Sequence, residues 1–327
     1  MMKRFGLGIG FILLLITLAG CSGEASGDGK PDKITMDYAY YSPTSLVLKE
    51  KGYLEDALAD EGIEVEWVLS QGSNKALEFL NSNSVDFGST AGAAALMAKA
   101  QGAPISSVYL YSKPEWTALV TTEDSEISSV EDLKGAKVAA TLGTDPYIFL
   151  LQALQEAGLS ASDVEIVNLQ HSDGAQALLN DQVDAWAGLD PHMARVELDS
   201  NGKLFYRNTE FNTYGTLNVA DEFKEAYPDY VDVVLAAYEQ ARTWTLENPE
   251  EAASILAESA DLSVEVANKS MERNDFSNIV PNDDVRQALL AAGDVLQAQE
   301  VIPADVNVGE TVDELLDPSF TEDIVGQ

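Results

Sequence analysis

The sequence predicts an α/β protein with mostly parallel sheets and enough chain for two domains. Strand-like and helix-like segments alternate from residue 34 to about residue 190, which is typical of parallel sheets whose faces are covered by helices. Nearly everything after residue 221 has the apolar spacing of helices. The chain has 327 residues, 46% of them hydrophobic, so two units with cores of ordinary size can form.

The individual elements follow from hydrophobic periodicity and from cap and turn residues. We predict strands at Ile34–Tyr40, Ile63–Leu69, Val85–Gly88, Ile105–Tyr111, Trp116–Thr121, Lys137–Thr141, Val164–Leu169, Val183–Gly188, Lys203–Arg207 and Tyr214–Ala220. We predict helices at Thr44–Asp60 with Gly52 as a break, Ser73–Asn81, Ala91–Ala100, Asp145–Ala157, Gly174–Asn180, Tyr230–Glu247, Pro249–Ala257, Val264–Arg273 and Asp283–Gln299. Ligands of such folds bind at the carboxyl ends of strands, so polar residues directly after strands are the candidates for a site.

The stretch Val85–Gly102 gives the sharpest local prediction of a site. Ser89 and Thr90 follow a buried strand and are expected at the N-cap of the helix that continues through Ala91–Ala100. The first turn of a helix carries unpaired N–H groups and a partial positive charge. Small side chains let a ligand approach that backbone closely, so the stretch predicts an anion site. The same residues also fit an ordinary, well-capped α/β turn.

The N-terminus has the pattern of an export signal. Lys3 and Arg4 precede the apolar run Phe5–Gly20, which is long enough for a signal-peptide core and short for a membrane span. Leu-Ala-Gly-Cys, ending at Cys21, resembles a bacterial lipobox. We therefore expect residues 1–20 to be removed, Cys21 to carry lipid, and residues 21–32 to tether the protein to the extracytoplasmic face of the cell membrane.

The net charge limits the classes of molecule that the protein can bind. The chain has 19 Lys and Arg against 55 Asp and Glu, for a formal net charge of −36, and the acids are spread along its whole length. This excess disfavours nucleic acid and anionic membrane surfaces as partners. An evenly acidic, solvated surface is typical of salt-adapted, halophilic proteins.

The sequence gives little support for an enzyme. The two histidines, His171 and His192, have no Cys or carboxylate at metal-ligand spacing, and neither a G-x-S-x-G motif nor a Walker loop is present. Cys21 is the only cysteine, so disulfides and a thiolate metal site are excluded. We expect no cofactor and no metal, and we interpret His171 as a polar surface residue.

Four segments carry a resemblance to a known family. They are MDYAYYSPTSLVLKEKGYLE, VEWVLSQGSNKALEFLNSNSVDFGSTAGAAAL, ISSVEDLKGAKVAATLGTDPYIFLLQALQEAGL and VEIVNLQHSDGAQALLNDQVDAWAGLDPH. Over residues 34–190 the chain resembles the solute-binding proteins of ABC importers for sulfonates, taurine and nitrate, and the last hundred residues do so more weakly. The resemblance implies a periplasmic-binding-protein-like fold of type II, with residues 33–112 plus 213–327 as lobe one and 116–206 as lobe two. It implies hinge crossings near Lys113–Thr117 and Arg207–Thr213.

The same resemblance implies a function. The protein is expected to capture a small organic anion such as an aliphatic sulfonate by lobe closure, as a monomer, and to deliver it to a membrane permease with a cytoplasmic ATPase. Taurine, nitrate or a thiamine-pyrimidine precursor is the alternative ligand. An enzyme on the same fold is less favoured, since the thiamine-pyrimidine synthase of that fold uses Cys and His residues that this chain lacks.

Strand ends supply the expected substrate-binding residues. From lobe one these are Tyr41, Ser42, Gly72, Ser73, Ser89, Thr90 and Ala91, and from lobe two Trp116, Gly143, Thr144, Asp145, Tyr147 and Asp190. Two helix N-termini would hold the sulfonate, and Trp116, Tyr147, Tyr40 and Tyr41 could wall its organic part, although core packing explains Tyr40 better. Asp145 either points outward as a first-turn acid or accepts a donor group of the ligand. Asp190 is either a helix cap or a ligand contact.

Overall fold

The computed structural model of the protein describes residues 29–325. The predicted signal peptide, Cys21 and the tether up to residue 28 lie outside the described residues. The strands of the described chain are β1 (Lys33–Tyr38), β2 (Glu64–Leu69), β3 (Phe87–Ala91), β4 (Ile105–Pro114), β5 (Thr117–Thr121), β6 (Lys137–Ala140), β7 (Glu165–Asn168), β8 (Ala185–Leu189), β9 (Lys203–Tyr206), β10 (Gly215–Ala220) and β11 (Asn274–Asp275).

The helices lie between these strands and then fill the last third of the chain. They are α1 (Pro43–Lys51), α2 (Tyr53–Leu58), α3 (Ser73–Asn81), α4 (Gly92–Ala100), α5 (Asp145–Glu156), α6 (His171–Leu179), α7 (His192–Asp199), α8 (Asp221–Ala226), α9 (Pro228–Glu247), α10 (Pro249–Ala260), α11 (Val264–Met271), α12 (Asp283–Ala298), α13 (Val308–Leu315) and α14 (Ser319–Val325). None of the helices within residues 29–325 has the length and apolar character that crossing a bilayer requires.

The first sheet has six strands in the order β11-β4-β10-β3-β1-β2. β1 pairs in parallel with β2 along its whole length but with β3 only at Met36 and Phe87, whereas β3, β10, β4 and β11 pair antiparallel. Beyond Met36 the backbones of β1 and β3 separate, and the Asp37 carboxylate fills the gap by accepting from Ser89 N at 2.7 Å. The Asp37 side chain thus takes the place of a backbone partner for Ser89 N.

The second sheet has five strands in the order β7-β6-β8-β5-β9. β6 is parallel to both β7 and β8, while β5 is antiparallel to β8 and β9. Separate apolar clusters cover its two faces, one around Phe149 and Leu154 of α5 and the other around Trp186 and Leu178. Each sheet thus has its own covered core, as the alternation of strands and helices predicts.

The chain connects the two sheets twice, between β4 and β5 and between β9 and β10. We call the part built on the six-stranded sheet the first lobe and the part built on the five-stranded sheet the second lobe. The helices after β10 pack mainly on the first lobe, but α11 also contacts α7 and α12 contacts α5 of the second lobe. The predicted two-lobed α/β fold is confirmed.

Two local predictions differ in outcome. Gly52 breaks the predicted first helix as expected, because its φ of 68° is in the left-handed region that favours glycine. The helix expected to begin around Ser89 and Thr90 begins instead at Gly92, and both residues belong to β3. Antiparallel pairing with β10 continues through Ala91, so tertiary contacts extend the strand past the residues that resemble a cap.

Candidate functional site

A cavity of about 190 Å³ lies between the two lobes. Its lining residues follow the carboxyl ends of β1, β2, β7 and β8, where ligands of α/β folds bind. They are Tyr40, Tyr41, Ser70 and Gln71 from the first lobe and Gln170, His171, Ser172, Leu189, Asp190, Pro191 and His192 from the second. Pockets for drug-sized ligands span roughly 300–1,000 Å³, so this cavity suits a smaller molecule of few heavy atoms.

Four helices begin beside the cavity: α1, α3, α6 and α7. Asp190 caps the start of α7 by accepting from Ala194 N, whereas the starts of α1, α3 and α6, at Ser42, Gly72 and Gln170, have no side-chain cap hydrogen bond. The first-turn N–H groups of a helix lack intrahelical partners, and the dipole places partial positive charge at that end. Because the three ends come from both lobes, the cavity is polarised for an anion that both lobes contact.

The two histidines lie in the cavity wall and are neutral. Burial lowers the pKa of His171 to about 3 and that of His192 to about 4. The cavity therefore has no cationic side chain among its described lining residues at neutral pH, and backbone dipoles supply its positive polarisation. The expectation that His171 is a surface residue is wrong, since only 1% of it is exposed.

Asp190 lines the cavity with its charge balanced by a residue from the C-terminal part of the chain. Its carboxylate accepts from Ala194 N at 2.8 Å, and both its oxygens lie 3.1 Å from Arg273 Nη1. Arg273 also bonds Glu197, so its guanidinium joins the end of α11 to the second lobe. Burial raises the pKa of Asp190 to about 6, and Arg273 opposes that rise. Asp190 thus caps α7, and its contact with a ligand stays a prediction.

Asp145 lies behind the cavity and binds the two connections between the sheets. Trp116 Nε1 donates to Oδ2 at 2.8 Å, Thr213 N donates to the same oxygen at 3.0 Å, and the Thr213 hydroxyl donates to Oδ1 at 2.6 Å. Only 1% of Asp145 is exposed, so the expectation that it points outward is wrong. Trp116 packs edge-on against Tyr41 with ring centroids 5.9 Å apart, which places its indole one layer behind the wall.

The predicted anion site at the start of α4 is filled by protein groups. The first N–H groups donate as follows: Ala91 to Ser73 Oγ (2.9 Å), Gly92 to Tyr214 O (2.8 Å) and Ala93 to Thr213 Oγ1 (3.2 Å). Thr90 Oγ1 accepts from Asn218 Nδ2 at 2.8 Å, and the Ser89 hydroxyl lies 3.4 Å from that of Tyr238. Ser89, Thr90 and Ala91 therefore hold the first lobe together, away from the cavity.

Gly72, Gly143 and Tyr147 lie where the lobes touch. Gly72 faces His171 so closely that a Cβ on residue 72 would lie 2.9 Å from Nε2 of His171. Gly143, with φ of 79°, lies against first-lobe side chains, and Thr144 donates its hydroxyl to Thr141 O at 2.6 Å. Tyr147 packs between the cores of both lobes. Of the thirteen residues predicted to bind substrate, Tyr41 and Asp190 line the cavity directly.

The residues that were missed obey the same strand-end rule as those that were chosen. Ser70 and Gln71 follow β2 directly, and Gln170 and His171 come just after β7. The prediction favoured the end of β3 instead, because Ser89 and Thr90 are hydroxyl residues that resemble a helix N-cap. Asp37 also gave no signal as a buried acid, yet it is fully buried, and burial raises its pKa to about 7.

The fold and the cavity define a class of protein. Two α/β lobes, connected twice and enclosing a small polarised cavity, form a periplasmic-binding-protein fold. The model of the family described as NMT1/THI5 like matches residues 42–252, and the chain belongs to this family.

The chain is similar to two named sequence relatives and to one solved structure. The chain is 30% identical over 92% of its length, and 92% of the relative's, to a Bacillus subtilis protein named as an aliphatic sulfonates-binding protein. It superposes on the alkanesulfonate-binding protein SsuA from Xanthomonas axonopodis pv. citri, solved bound to MOPS, with a TM-score of 0.79, 24% identity and coverage of 86% and 98% of the two chains. It is also 28% identical, over 64% of this chain and 63% of the other, to the 4-amino-5-hydroxymethyl-2-methylpyrimidine phosphate synthase of Schizosaccharomyces pombe.

Proposed function

We propose that this protein is an extracytoplasmic solute-binding lipoprotein of an ABC importer that captures a small organic anion, an aliphatic sulfonate. The observation that carries the proposal is the convergence of three uncapped helix N-termini, from both lobes, on a small cavity without a cationic side chain. Such a site neutralises a compact anionic head group through backbone N–H groups. The Bacillus subtilis relative, matched over nearly the whole chain, supports a sulfonate as that anion.

Lobe closure is the proposed capture step. Residues 33–112 plus 213–327 form one rigid lobe and 116–206 the other, and the two connecting segments act as hinges. A ligand that contacts both lobes stabilises the closed state by its differential affinity for that state. The closed protein then docks on the permease and releases the ligand there, with no chemical change to it.

Titration calorimetry tests the ligand class. The protein without residues 1–20 and with Cys21→Ser is titrated with methanesulfonate, ethanesulfonate, propane-1-sulfonate, 2-aminoethanesulfonate, nitrate and 4-aminopyrimidine. We expect at least one sulfonate to bind with 1:1 stoichiometry and nitrate and the pyrimidine to bind more weakly. Binding of nitrate or the pyrimidine alone would replace the sulfonate proposal by the corresponding alternative. Product formation from any bound compound would replace transport by catalysis.

Membrane anchoring is tested on Cys21. The full-length protein should fractionate with membranes, because a diacylated cysteine provides two buried acyl chains at the N-terminus. Intact mass should show acyl chains on residue 21 of the processed protein. The Cys21→Ala protein should be neither acylated nor cleaved after residue 20, while Ser22→Ala, a change at a neighbouring small residue, should be processed like the unchanged protein. Normal processing and membrane anchoring of the Cys21→Ala protein would contradict the lipoprotein assignment.

A further inference from the structure

Three buried side-chain atoms of the cavity wall lack a hydrogen-bond partner in the described protein: Ser70 Oγ, Gln170 Oε1 and His171 Nε2. His171 is 99% buried, and its Nε2 is without a partner, although a buried polar nitrogen without one is costly. The ring is fixed at its other nitrogen, since Nδ1 lies 3.2 Å from Thr141 Oγ1. Nε2 lies at the junction of the lobes, beside Gly72 of the first lobe.

The hydrogen bonds of Thr141 define the tautomer of His171. The Thr141 hydroxyl donates its single hydrogen to Leu169 O at 2.7 Å. Its oxygen is therefore an acceptor toward His171, and Nδ1 must carry the proton that completes the 3.2 Å contact. In a neutral imidazole the other nitrogen then bears a lone pair. Nε2 is thus an acceptor that needs a donor.

No group of the described protein donates a hydrogen bond to Nε2. Gln170 Oε1, in the same cavity wall, and Asn74 Oδ1 are also buried without partners, and as placed both are acceptors. A Cβ on residue 72 would lie 2.8 Å from Asn74 Oδ1 and 2.9 Å from His171 Nε2, so both atoms lie close to Gly72. A plain alkanesulfonate cannot satisfy any of these atoms, because sulfonate oxygens only accept hydrogen bonds and its alkyl chain has no polar hydrogen.

We infer that His171 is a specificity-determining residue that selects organic sulfonates bearing a second group with an N–H or O–H donor. The inference rests on the proposed function, because the sulfonate end is held by the helix N-termini described above. The ammonium or hydroxyl group at the other end of the ligand donates to Nε2 as the lobes close. A ligand without such a group leaves the acceptor buried and unpaired, and its affinity falls accordingly.

Three sulfonates of the same length test the inference on the unchanged protein. They are 2-aminoethanesulfonate, 2-hydroxyethanesulfonate and propane-1-sulfonate, which differ only in the terminal ammonium, hydroxyl or methyl group. By calorimetry we expect at least one of the first two to bind about ten-fold or more tightly than propane-1-sulfonate. If all three bind within about three-fold of one another, sulfonate capture stands and the role of His171 is overturned. If none of them binds, both the inference and the proposed function are overturned.

A pair of matched variants assigns the preference to one histidine. His171→Phe keeps a flat ring but removes the acceptor, so the preference for the donor-bearing ligand should fall to about three-fold or less. Tyr53→Phe, an aromatic replacement on α2 outside the cavity lining, should keep the preference. A preference that survives His171→Phe would overturn the inference.

Nitrogen NMR of the unchanged protein supplies a readout that does not depend on a variant folding. Long-range ¹⁵N–¹H spectra should show His171 as the Nδ1–H tautomer. The Nε2 resonance should shift with the preferred donor-bearing sulfonate and not with propane-1-sulfonate. An Nε2–H tautomer would overturn the inference.

Discussion

At the scale of single residues, the sequence alone does not distinguish whether Asp145 contacts a ligand or supports the fold. A carboxylate in the first turn of a helix beside a predicted cleft fits a helix-stabilising acid and a ligand contact equally well. The structure uses it to bind the two segments that connect the sheets, through Trp116 and Thr213. Burial raises its pKa, and the hydrogen bonds from Thr213 and Trp116 oppose that rise. Asp145 therefore contributes mainly as a hydrogen-bond acceptor and less through its charge.

Two substitutions at Asp145 distinguish its role as a hydrogen-bond acceptor from the role of its charge. Asp145→Asn keeps an oxygen for Trp116 and for Thr213 N, and its amide can donate to the Thr213 hydroxyl, so it should lower the free energy of unfolding by about 1 kcal/mol or less. Asp145→Leu leaves buried donors unpaired and should cost about 3 kcal/mol or more. Urea denaturation measures both. Equal losses of unfolding free energy in the two variants would contradict the acceptor role. Loss of ligand binding by a folded Asp145→Asn protein would show that Asp145 contacts the ligand.

At the scale of elements, the cavity depends on where helices begin. The sequence rule that ligands bind after strand ends places its candidates at the edge of each sheet where the cavity lies, and Tyr41 and Asp190 line that cavity. The predicted start of α4 was wrong because capping patterns are local, whereas the extension of β3 through Ala91 depends on pairing with β10, more than a hundred residues away. The Arg273–Asp190 pair, which links distant parts of the chain, was inaccessible to local patterns for the same reason.

Gly72 gives a test of the contact between these elements. Its φ of 166° is extended backbone that any residue adopts, so Gly72→Ala should not strain the N-cap of α3. The added Cβ would lie 2.9 Å from His171 Nε2 across the lobe boundary, closer than such atoms pack. We expect ligand affinity to fall roughly ten-fold, about 1.4 kcal/mol, as measured by calorimetry, because closure is obstructed.

Gly309→Ala is the matched control for that change. Its Cβ would meet Asn307 Oδ1 at an ordinary 3.5 Å, and Gly309 lies in α13 of the first lobe. Affinity should stay within about two-fold of the unchanged protein. Unaltered affinity in Gly72→Ala would show that the ligand-bound lobes do not approach as closely as the structure places them.

At the scale of the whole molecule, the fold class was predictable because it depends on patterns repeated along the chain. Alternating elements and chain length specify two covered sheets, and no single misplaced boundary alters that result. The acidic surface is a second global property. With 19 basic against 55 acidic residues, most carboxylates have no cationic partner, so like charges oppose one another in the compact state.

Salt should therefore stabilise the protein. Added NaCl screens repulsion between exposed carboxylates, since the Debye length falls from about 10 Å at 0.1 M to about 3 Å at 1 M. We expect the melting temperature, measured by calorimetry at pH 7, to rise steadily with NaCl up to molar concentrations. A flat or falling melting temperature would show that local pairing, as in Lys33–Glu66, already compensates the charge.

The measurement that tests the account most directly is the distance between the lobes with and without ligand. Spin labels on cysteines introduced at Glu78 of α3 and Asp173 of α6, both exposed, report the approach of the two lobes in the protein without residues 1–20 and with Cys21→Ser. Pulsed electron–electron double resonance should show the shorter-distance population growing as a sulfonate is added, until one closed distance dominates at saturation. Identical distance distributions with and without a sulfonate that calorimetry shows to be bound would contradict capture by lobe closure.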